Sequence, residues 1–270
     1  QPGLTAPASA VRVNSNVRLQ DPRIPVSTGI NPTQYSRIVV LTGAGISAGS
    51  GLRTYRGPDG VWQEHDVEQL GHAFALRERP AGTWRLFGSM RAPVLAAAPN
   101  AAHRALAAFE SQLRSSQQFL LVTQNVDSLH QAAGSKNVCE IHGNLMFTRC
   151  SNPSCSLPRF RDESAHSERI PQCNLCGSTL RPDVVLFGED LPLQETWTVK
   201  RALRDCDLFI AIGTSGLVEP AASYVRRAEY AGARTILVNL EPLARPNPAF
   251  KEQYFGRAEI LLPQLLGVEA

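Results

Sequence analysis

An α/β fold is what this sequence predicts: a doubly wound, Rossmann-like parallel sheet carrying a smaller zinc-ribbon and helical lobe. Three observations point there. Short β-branched apolar runs of strand length recur along the chain, helix-like stretches lie between several of them, and one polar segment bracketed by cysteines interrupts the alternation. The first run, Arg37 to Gly43 (RIVVLTG), ends in glycine, as a buried parallel strand does where it delivers a loop. Four further runs read as strands: Phe119 to Asn125, Asp207 to Ser215, Arg234 to Glu241 and Ala258 to Leu262 (AEILL). Helices are expected from Pro99 (PNAAHRALAAFESQL), Leu191 (LPLQETWTVKRALRDC) and Glu219 (EPAASYVRRAEYAGA), each with Pro early and the third with Gly late. Alternation of this kind places a parallel sheet between two helical layers.

Residues 1–32, with Pro, Ser, Asn and Arg and no sustained period, read as a flexible N-terminal arm. Residues 33–145 and 181–270 then make the Rossmann-like domain, with a helical cap at about 52–98, and residues 146–180 make the insertion. With 43% hydrophobic and 19% charged residues, a 270-residue chain has the composition of an ordinary globule and not of a disordered or coiled-coil protein. No apolar run approaches the roughly 18 residues of a spanning helix, so no membrane partner is expected. Lys plus Arg at 27 against Asp plus Glu at 24 gives a formal +3, too mild for a phosphate-tracking surface; no specific nucleic acid is expected, while basic peptides and small anions stay open as partners.

The chain opens QPGLTAPASA, without the charged-then-apolar order of a secretory signal. Arg12 and Arg18, with no acid before Gln20, would suit a shortened organelle presequence, although a simple chain boundary is the blander account. Six cysteines are too few for a disulfide scaffold. Cys150 and Cys155, then, after seventeen intervening residues, Cys173 and Cys176, have the spacing of a four-thiolate structural zinc site, one metal per chain, with no coordination position left for water. Such a metal folds an insertion too polar to build its own core. Thiolates in this arrangement suit a reducing, intracellular compartment, whether cytoplasm, mitochondrion or nucleus. Cys139 and Cys206 stand outside the set and read as small buried hydrophobes.

The loop from Gly43 to Gly57 (GAGISAGSGLRTYRG) follows the first strand directly, where backbone N–H groups and a helix N-terminus can meet a phosphate. Its spacing is not G-x-G-x-x-G, and no apolar strand precedes Asp66 or Glu68 to supply the usual ribose-binding acid, so a hydride-transferring dehydrogenase is poorly supported. Glycines alone would equally make a structural turn. TQN at the end of the second strand brings Gln124, Asn125 and Asp127 to the carboxyl edge of the sheet, where on their own they read most simply as turn caps. His142 offers an imidazole able to accept a proton near neutrality; His65, His72, His103, His130 and His166 read as packed or surface histidines.

Taken as a string, Gly43, Ala44, Gly45, Ser47, Ser50, Gly51, Arg56 and Gly57 resemble the cofactor loop of the sirtuins, the NAD-dependent protein deacylases. TQNVDSLH, EIHGNL, the two cysteine pairs, VVLFGE, GTSGLVEP and VNLEP follow in that family's order, so the resemblance covers roughly Tyr35 to Leu265. It implies NAD and zinc as cofactors and acylated-lysine proteins or peptides as partners. The acyl oxygen would attack the ribose as nicotinamide leaves, giving free lysine, nicotinamide and O-acyl-ADP-ribose. Asn125 and Asp127 would hold the nicotinamide and its ribose, and His142 would act as general base. Tyr55, in place of the commoner Phe, and Arg56 would shield the reacting centre. Gly43, Ala44, Gly45, Ser47, Gln124, Gly213, Thr214, Ser215, Asn239, Arg257 and Ala258 would surround NAD, with Val185, Phe187, Gly188, Glu189 and Leu217 around the acyl-lysine peptide.

The motif order is most similar to the class that includes desuccinylases and demalonylases, whose Tyr-x-x-Arg pair meets a substrate carboxylate. Phe87 and Met90 stand at the matching positions, so neutral acyl groups are expected over succinyl. Arg91, four residues after Phe87, is the one side chain that could reverse this; the simpler expectation is that it faces solvent. An ADP-ribosyltransferase or NAD glycohydrolase on the same scaffold, and a non-catalytic binding module, remain as rivals.

Overall fold

The computed structural model describes residues 29–54 and 67–269, together with the backbone of residues 18–20. Among them ten strands follow one another along the chain: β1 (Arg18–Gln20), β2 (Arg37–Thr42), β3 (Gln118–Thr123), β4 (Val138–Glu140), β5 (Gly143–Cys150), β6 (Phe160–Arg161), β7 (Leu180–Val184), β8 (Leu208–Ile212), β9 (Arg234–Asn239) and β10 (Glu252–Phe255). The helices are α1 (Val67–Leu70), α2 (Ala73–Glu78), α3 (Pro80–Ala96), α4 (Ala101–Ser111), α5 (Leu129–Ala132), α6 (Leu193–Arg204), α7 (Tyr224–Tyr230) and α8 (Ala258–Leu266).

Seven strands form a wholly parallel sheet in the order β1-β10-β9-β8-β2-β3-β4. The order runs outward in both directions from the β2–β8 pair, which makes the carboxyl ends of those two strands a topological switch point. Alternate residues of β2 supply the two cores, because successive side chains point to opposite faces. Ile38 and Val40 pack with Leu106 and Phe109 of α4 and Leu262 and Leu265 of α8. Val39 and Leu41 pack with Val199 and Leu203 of α6 and Val225 and Ala228 of α7. Helices thus cover both faces, as the alternation of the sequence requires.

Two expectations are corrected. AEILL is not a strand but the start of α8: Ala258, Leu261, Leu262, Leu265 and Leu266 are all buried, the i, i+3, i+4, i+7, i+8 spacing of a helix, which ends at left-handed Gly267 (φ 63°). The short EQYF of β10 supplies the strand instead, parallel to β9. Within the arm, Arg18–Gln20 forms the edge strand β1, and the Ile30 N–H reaches the Leu265 carbonyl at 2.7 Å with the side chain buried.

The second, three-stranded sheet, β6-β5-β7, is antiparallel. It begins at Gly143 and closes at Val184, a few residues outside the cysteine-bracketed segment on each side. Helices α1 to α3 lie beside it, and the Trp84 indole N–H of α3 donates to the Leu180 carbonyl of β7 at 2.9 Å. No helix among the described residues is long and apolar enough to cross a membrane.

Candidate active site

The loop after β2 and the loop after β8 meet at the switch point, backbone against backbone. The Gly43 N–H donates to the Ile212 carbonyl and the Gly45 N–H to the Gly213 carbonyl, each at 2.9 Å. Gly213 is left-handed (φ 60°), and a Cβ on it would sit 2.4 Å from the Ile46 nitrogen; a Cβ on Gly45 would sit 2.7 Å from the Gly213 Cα. Side chains are excluded here by contact, which a spacing rule for glycines alone does not reveal. Beside this crossing Thr214 and Asn239 exchange hydrogen bonds, Thr214 N–H to Asn239 Oδ1 at 3.0 Å and Asn239 Nδ2 to the Thr214 carbonyl at 2.8 Å, while Gln124 Nε2 donates to Thr214 Oγ1 at 3.1 Å. Arg257, exposed and ion-paired with Glu259, precedes Ala258, the first residue of α8; the Glu259 carboxylate lies against Gly49 of the glycine loop. Ser215 is half-buried on the same rim. Tyr55 and Arg56 lie outside the described residues.

A cavity of about 390 Å³ opens from this edge, with Ala44, Ser47, Asn125 and Asp127 on its polar side. Ser47 organises them: it accepts from Asn125 Nδ2 (3.1 Å) and donates to Asp127 Oδ2 (2.7 Å). Asp127 Oδ1 accepts from the Leu129 N–H at 3.0 Å, so from one residue before the N-cap position, Ser128, it satisfies the first N–H of α5 as well as facing the cavity. Burial pushes the Asp127 carboxyl up from its ordinary value, against the pull of those donors. Asn125 Nδ2 also reaches the Gly43 carbonyl at 3.2 Å, but its Oδ1 is buried with no hydrogen-bond partner. A buried acceptor at a cavity wall without a donor is incomplete, and a ligand N–H or O–H completes it.

Histidines behind the wall play a larger part than the sequence suggested. His103 accepts the Asn100 N–H at Nδ1 (3.3 Å), which leaves the proton on Nε2, 3.4 Å from Ser47 Oγ. His130 Nε2 lies 2.9 Å from Thr42 Oγ1, which donates to Thr123 Oγ1. Burial lowers these imidazoles to about 4 and about 3, so both are neutral packing elements at pH 7. Ser47, Asn125 and Asp127 stand out in the sequence, but the hydrogen bonds that join them, and the place of His103 behind them, leave no signal there.

His142 is held differently. Its Nδ1 lies 3.0 Å from the Gln124 carbonyl, which can only accept, so Nδ1 carries the proton and Nε2 keeps its lone pair. Burial lowers its pKa, and the Gln124 carbonyl opposes that. Its own carbonyl accepts the Val185 N–H at 2.9 Å, tying the base candidate to the loop after β7. Val184, the last residue of β7, and Leu186 in that loop are core, whereas Val185 and Phe187 are half-buried and Gly188 is exposed. Val185 and Gly188 border a second, open groove of about 1110 Å³. The Glu189 carboxylate is gripped by the Arg181 fork (2.5 and 2.9 Å) and the Leu186 N–H, so it shapes the loop. Leu217, 41% exposed, lies on the loop after β8.

The apolar side of the cavity comes from α3, through Leu86, Met90, Pro93 and Val94, joined by Val126 and Leu145. Of the three α3 residues singled out in the sequence, only Met90 lines it. Phe87 is buried behind the wall against Val126, Leu145, Val184 and Leu186. Arg91 neither faces solvent nor enters the cavity: it is 1% exposed, and Asp162 and four acceptors hold its guanidinium. It cannot turn to a substrate carboxylate without giving these up. Arg53, at the cavity edge, is the basic residue among its described lining.

Cys150, Cys155, Cys173 and Cys176 have their sulfurs within 4.8 Å of one another, with Cys150–Cys176 at 3.5 Å and Cys155–Cys173 at 3.6 Å. Tetrahedral zinc with Zn–S near 2.3 Å requires sulfurs roughly 3.8 Å apart, and four thiolates are the donor set of a structural site. The cluster fits one zinc ion.

Residues 43–220 match the Sir2 family. The chain belongs to that family. A Pasteurella multocida NAD-dependent protein deacylase is 43% identical over 87% of this chain and 98% of its own length, and a Pyrococcus furiosus enzyme of the same name is 39% identical over 86% and 92%. A Sir2 homologue solved with NAD superposes with a TM-score of 0.79 at 37% identity, over 87% of this chain and 89% of the other. A Sir2 variant solved with a deacetylated peptide and 3′-O-acetyl-ADP-ribose gives 0.76 at 29%, over 87% and 94%.

Proposed function

We propose that this Sir2 family member is an NAD-dependent protein lysine deacylase, and that its acyl site takes neutral groups in preference to succinyl. The observation that carries the first part is a buried acceptor at the cavity wall, Asn125 Oδ1, whose preceding residue, Gln124, fixes the Nδ1 of the His142 imidazole through its carbonyl. NAD supplies an electrophilic ribose carbon and nicotinamide as leaving group. Asn125 presents its orphan oxygen to a donor such as the nicotinamide amide, and Asp127 takes a ribose hydroxyl. Gly43, Gly45 and Gly213 let the two loops touch backbone to backbone and so shape the switch point that would receive the phosphates, with Thr214, Ser215 and Asn239 available to the adenosine half. His142 accepts a hydroxyl proton at Nε2. The peptide lies extended beside Val185 to Gly188 and Leu217; the N–H groups of Val185, Leu186 and Phe187 are already donated to His142, Glu189 and Gly71, so pairing falls to the remaining backbone groups of these loops and gives weak sequence selectivity.

The acyl preference rests on α3. Each substrate CH₂ buried against Leu86, Met90, Pro93 and Val94 contributes about 0.8 kcal/mol, whereas a carboxylate there would lack a partner. Arg53 favours a second reading, in which an acidic acyl group is met at the cavity edge. One experiment separates these: kcat/KM for acetyl, myristoyl and succinyl forms of one peptide, with products read by mass spectrometry. Succinyl ranking first and losing its lead in Arg53→Ala establishes the second reading. Nicotinamide release that ignores the acyl-peptide, or ADP-ribose transfer to protein, defeats the deacylase assignment.

A further inference from the structure

Helix α3 works on two sides. At 100° per residue, Leu86, Ser89, Met90, Pro93 and Val94 share the face that lines the cavity, and Trp84, Gly88 and Arg91 share the opposite one. That far face is bolted to the zinc lobe. Arg91 Nε donates to the Leu145 carbonyl (3.0 Å), Nη1 to the Ser164 carbonyl (2.6 Å), and Nη2 to Thr148 Oγ1 (2.8 Å) and the Phe147 carbonyl (3.3 Å). Its charge is met by Asp162 at 3.0 Å, which also accepts from the Thr148 hydroxyl, the Ser164 N–H and His166 Nε2. The Trp84 ring lies 5.3 Å from the guanidinium and edge-on to His166, and packs in one cluster with Cys150, Cys173 and Leu180. A Cβ on Gly88 would come 2.0 Å from the Ala165 carbonyl oxygen, so helix and loop touch backbone to backbone.

Leu145 gives this bolt a consequence. It lines the same cavity from β5, packed in one cluster with Leu86 of α3, and its carbonyl is held by the same guanidinium that anchors α3. We propose that Arg91 is a positioning residue that sets the spacing between the two apolar walls and thereby the acyl chain length the enzyme accepts, with the zinc lobe acting on specificity through it. This rests on the reading of the cavity as the acyl site. A planar fork with five donors fixes several carbonyls at once, which an ammonium on a flexible stem cannot do.

The test compares Arg91→Lys and Asp162→Asn with the wild type, measuring kcat and KM for acetyl, octanoyl and myristoyl forms of one peptide. KM for NAD, zinc content and the urea midpoint are measured alongside. In Arg91→Lys that still holds its zinc, the myristoyl-to-acetyl ratio of kcat/KM is expected to change about tenfold, chiefly through KM, because a wall displaced by about 1 Å misplaces the bound chain. KM for NAD stays within about twofold, since the switch point is untouched. Asp162→Asn, which keeps the shape and removes the neutralising charge, moves the ratio in the same direction. If all three acyl groups scale alike in the folded, zinc-loaded variant, Arg91 is structural and the inference falls alone. If Arg91→Lys loses zinc or fails to fold, Asp162→Asn decides by the same ratio. A wild type that deacylates none of the peptides overturns the proposed function and this inference with it.

Discussion

Replacing Gly213 by Ala tests the switch point directly, because the glycine loop itself contains a control. Gly213 (φ 60°) and Gly51 (φ 85°) both adopt the left-handed conformation, which costs a residue with a Cβ about 1–2 kcal/mol. They differ in their surroundings. A Cβ on Gly51 meets nothing within 4 Å, whereas on Gly213 it would lie 2.4 Å from the Ile46 nitrogen and 2.6 Å from the Gly45 carbonyl carbon. Ordinary contact needs roughly 1 Å more, and both neighbours are backbone, so the two loops must part and overpacking adds about 1–3 kcal/mol. Gly213→Ala should therefore lose about 2–5 kcal/mol of stability and Gly51→Ala only about 1–2. Parting the loops also pulls the Gly45 N–H from the Gly213 carbonyl, so NAD turnover should suffer beyond the stability loss, by about 10² in kcat/KM for NAD. Urea denaturation gives the first comparison and steady-state kinetics at saturating acyl-peptide the second. Equal losses in the two variants, or a wild-type KM for NAD in Gly213→Ala, would refute the steric account of this crossing.

Other expectations are simpler to state. His142→Ala should lower kcat about 10²- to 10⁴-fold while NAD affinity stays within about twofold, by calorimetric titration, because the proton acceptor acts after the cofactor is seated. Freshly purified protein should contain about one zinc per chain by elemental analysis, and strong chelation should expose the segment between Cys150 and Cys176 to protease, since binding and folding of such a lobe are one equilibrium. Stability should also fall with acid. His103 and His130, lowered to about 4 and about 3, stay neutral in the folded chain while unfolded imidazoles take up protons below 6.5. Their contribution is full above 6.5 and is lost as pH falls through that window, at about 1.4 kcal/mol per unit for each. Asp127 and Glu140, raised by burial, bind protons first in the folded chain and offset part of the loss. A urea midpoint no lower at pH 5 than at pH 7.5 would show that other groups dominate.

The parts legible in the sequence were those whose signal is local. β2, β3, β8 and β9 announce themselves as strand-length β-branched runs, and the cysteine pairs carry their ligand spacing openly. AEILL misled because a five-residue apolar run fits either period; only with Leu265 and Leu266 does the helical repeat of α8 emerge. Arg91 misled for a different reason. An arginine four residues along a helix from a pocket residue is ordinarily solvated, and nothing nearby in sequence marks Asp162 or the β5 carbonyls as its partners. Ser47, Asn125 and Asp127 were each legible through their motifs, but the hydrogen bonds that join them and the place of His103 beside Ser47 were hidden in the same way, being made between segments up to 80 residues apart.

Placement in the fold also separates chemistry from selectivity. Gly43, Gln124, Gly213 and Asn239 sit at or just beyond the carboxyl ends of adjacent parallel strands, so the register of one sheet fixes their mutual geometry. A change that disturbs this register moves all of them together. Leu86, Met90, Pro93 and Val94 instead belong to a helix outside that sheet, docked on the zinc lobe through Trp84, Gly88 and Arg91. Their position can shift by the play in one packed contact while β2 and β8 stay in place. Substitutions along α3 should accordingly redistribute kcat/KM among acyl chains at nearly constant KM for NAD, and substitutions at the switch point should lower it for every chain alike. A variant of Met90 or Val94 that weakened NAD binding as strongly as acyl binding would mean that the two walls do not move independently, and that the lobe and the sheet behave as one rigid unit around the cavity.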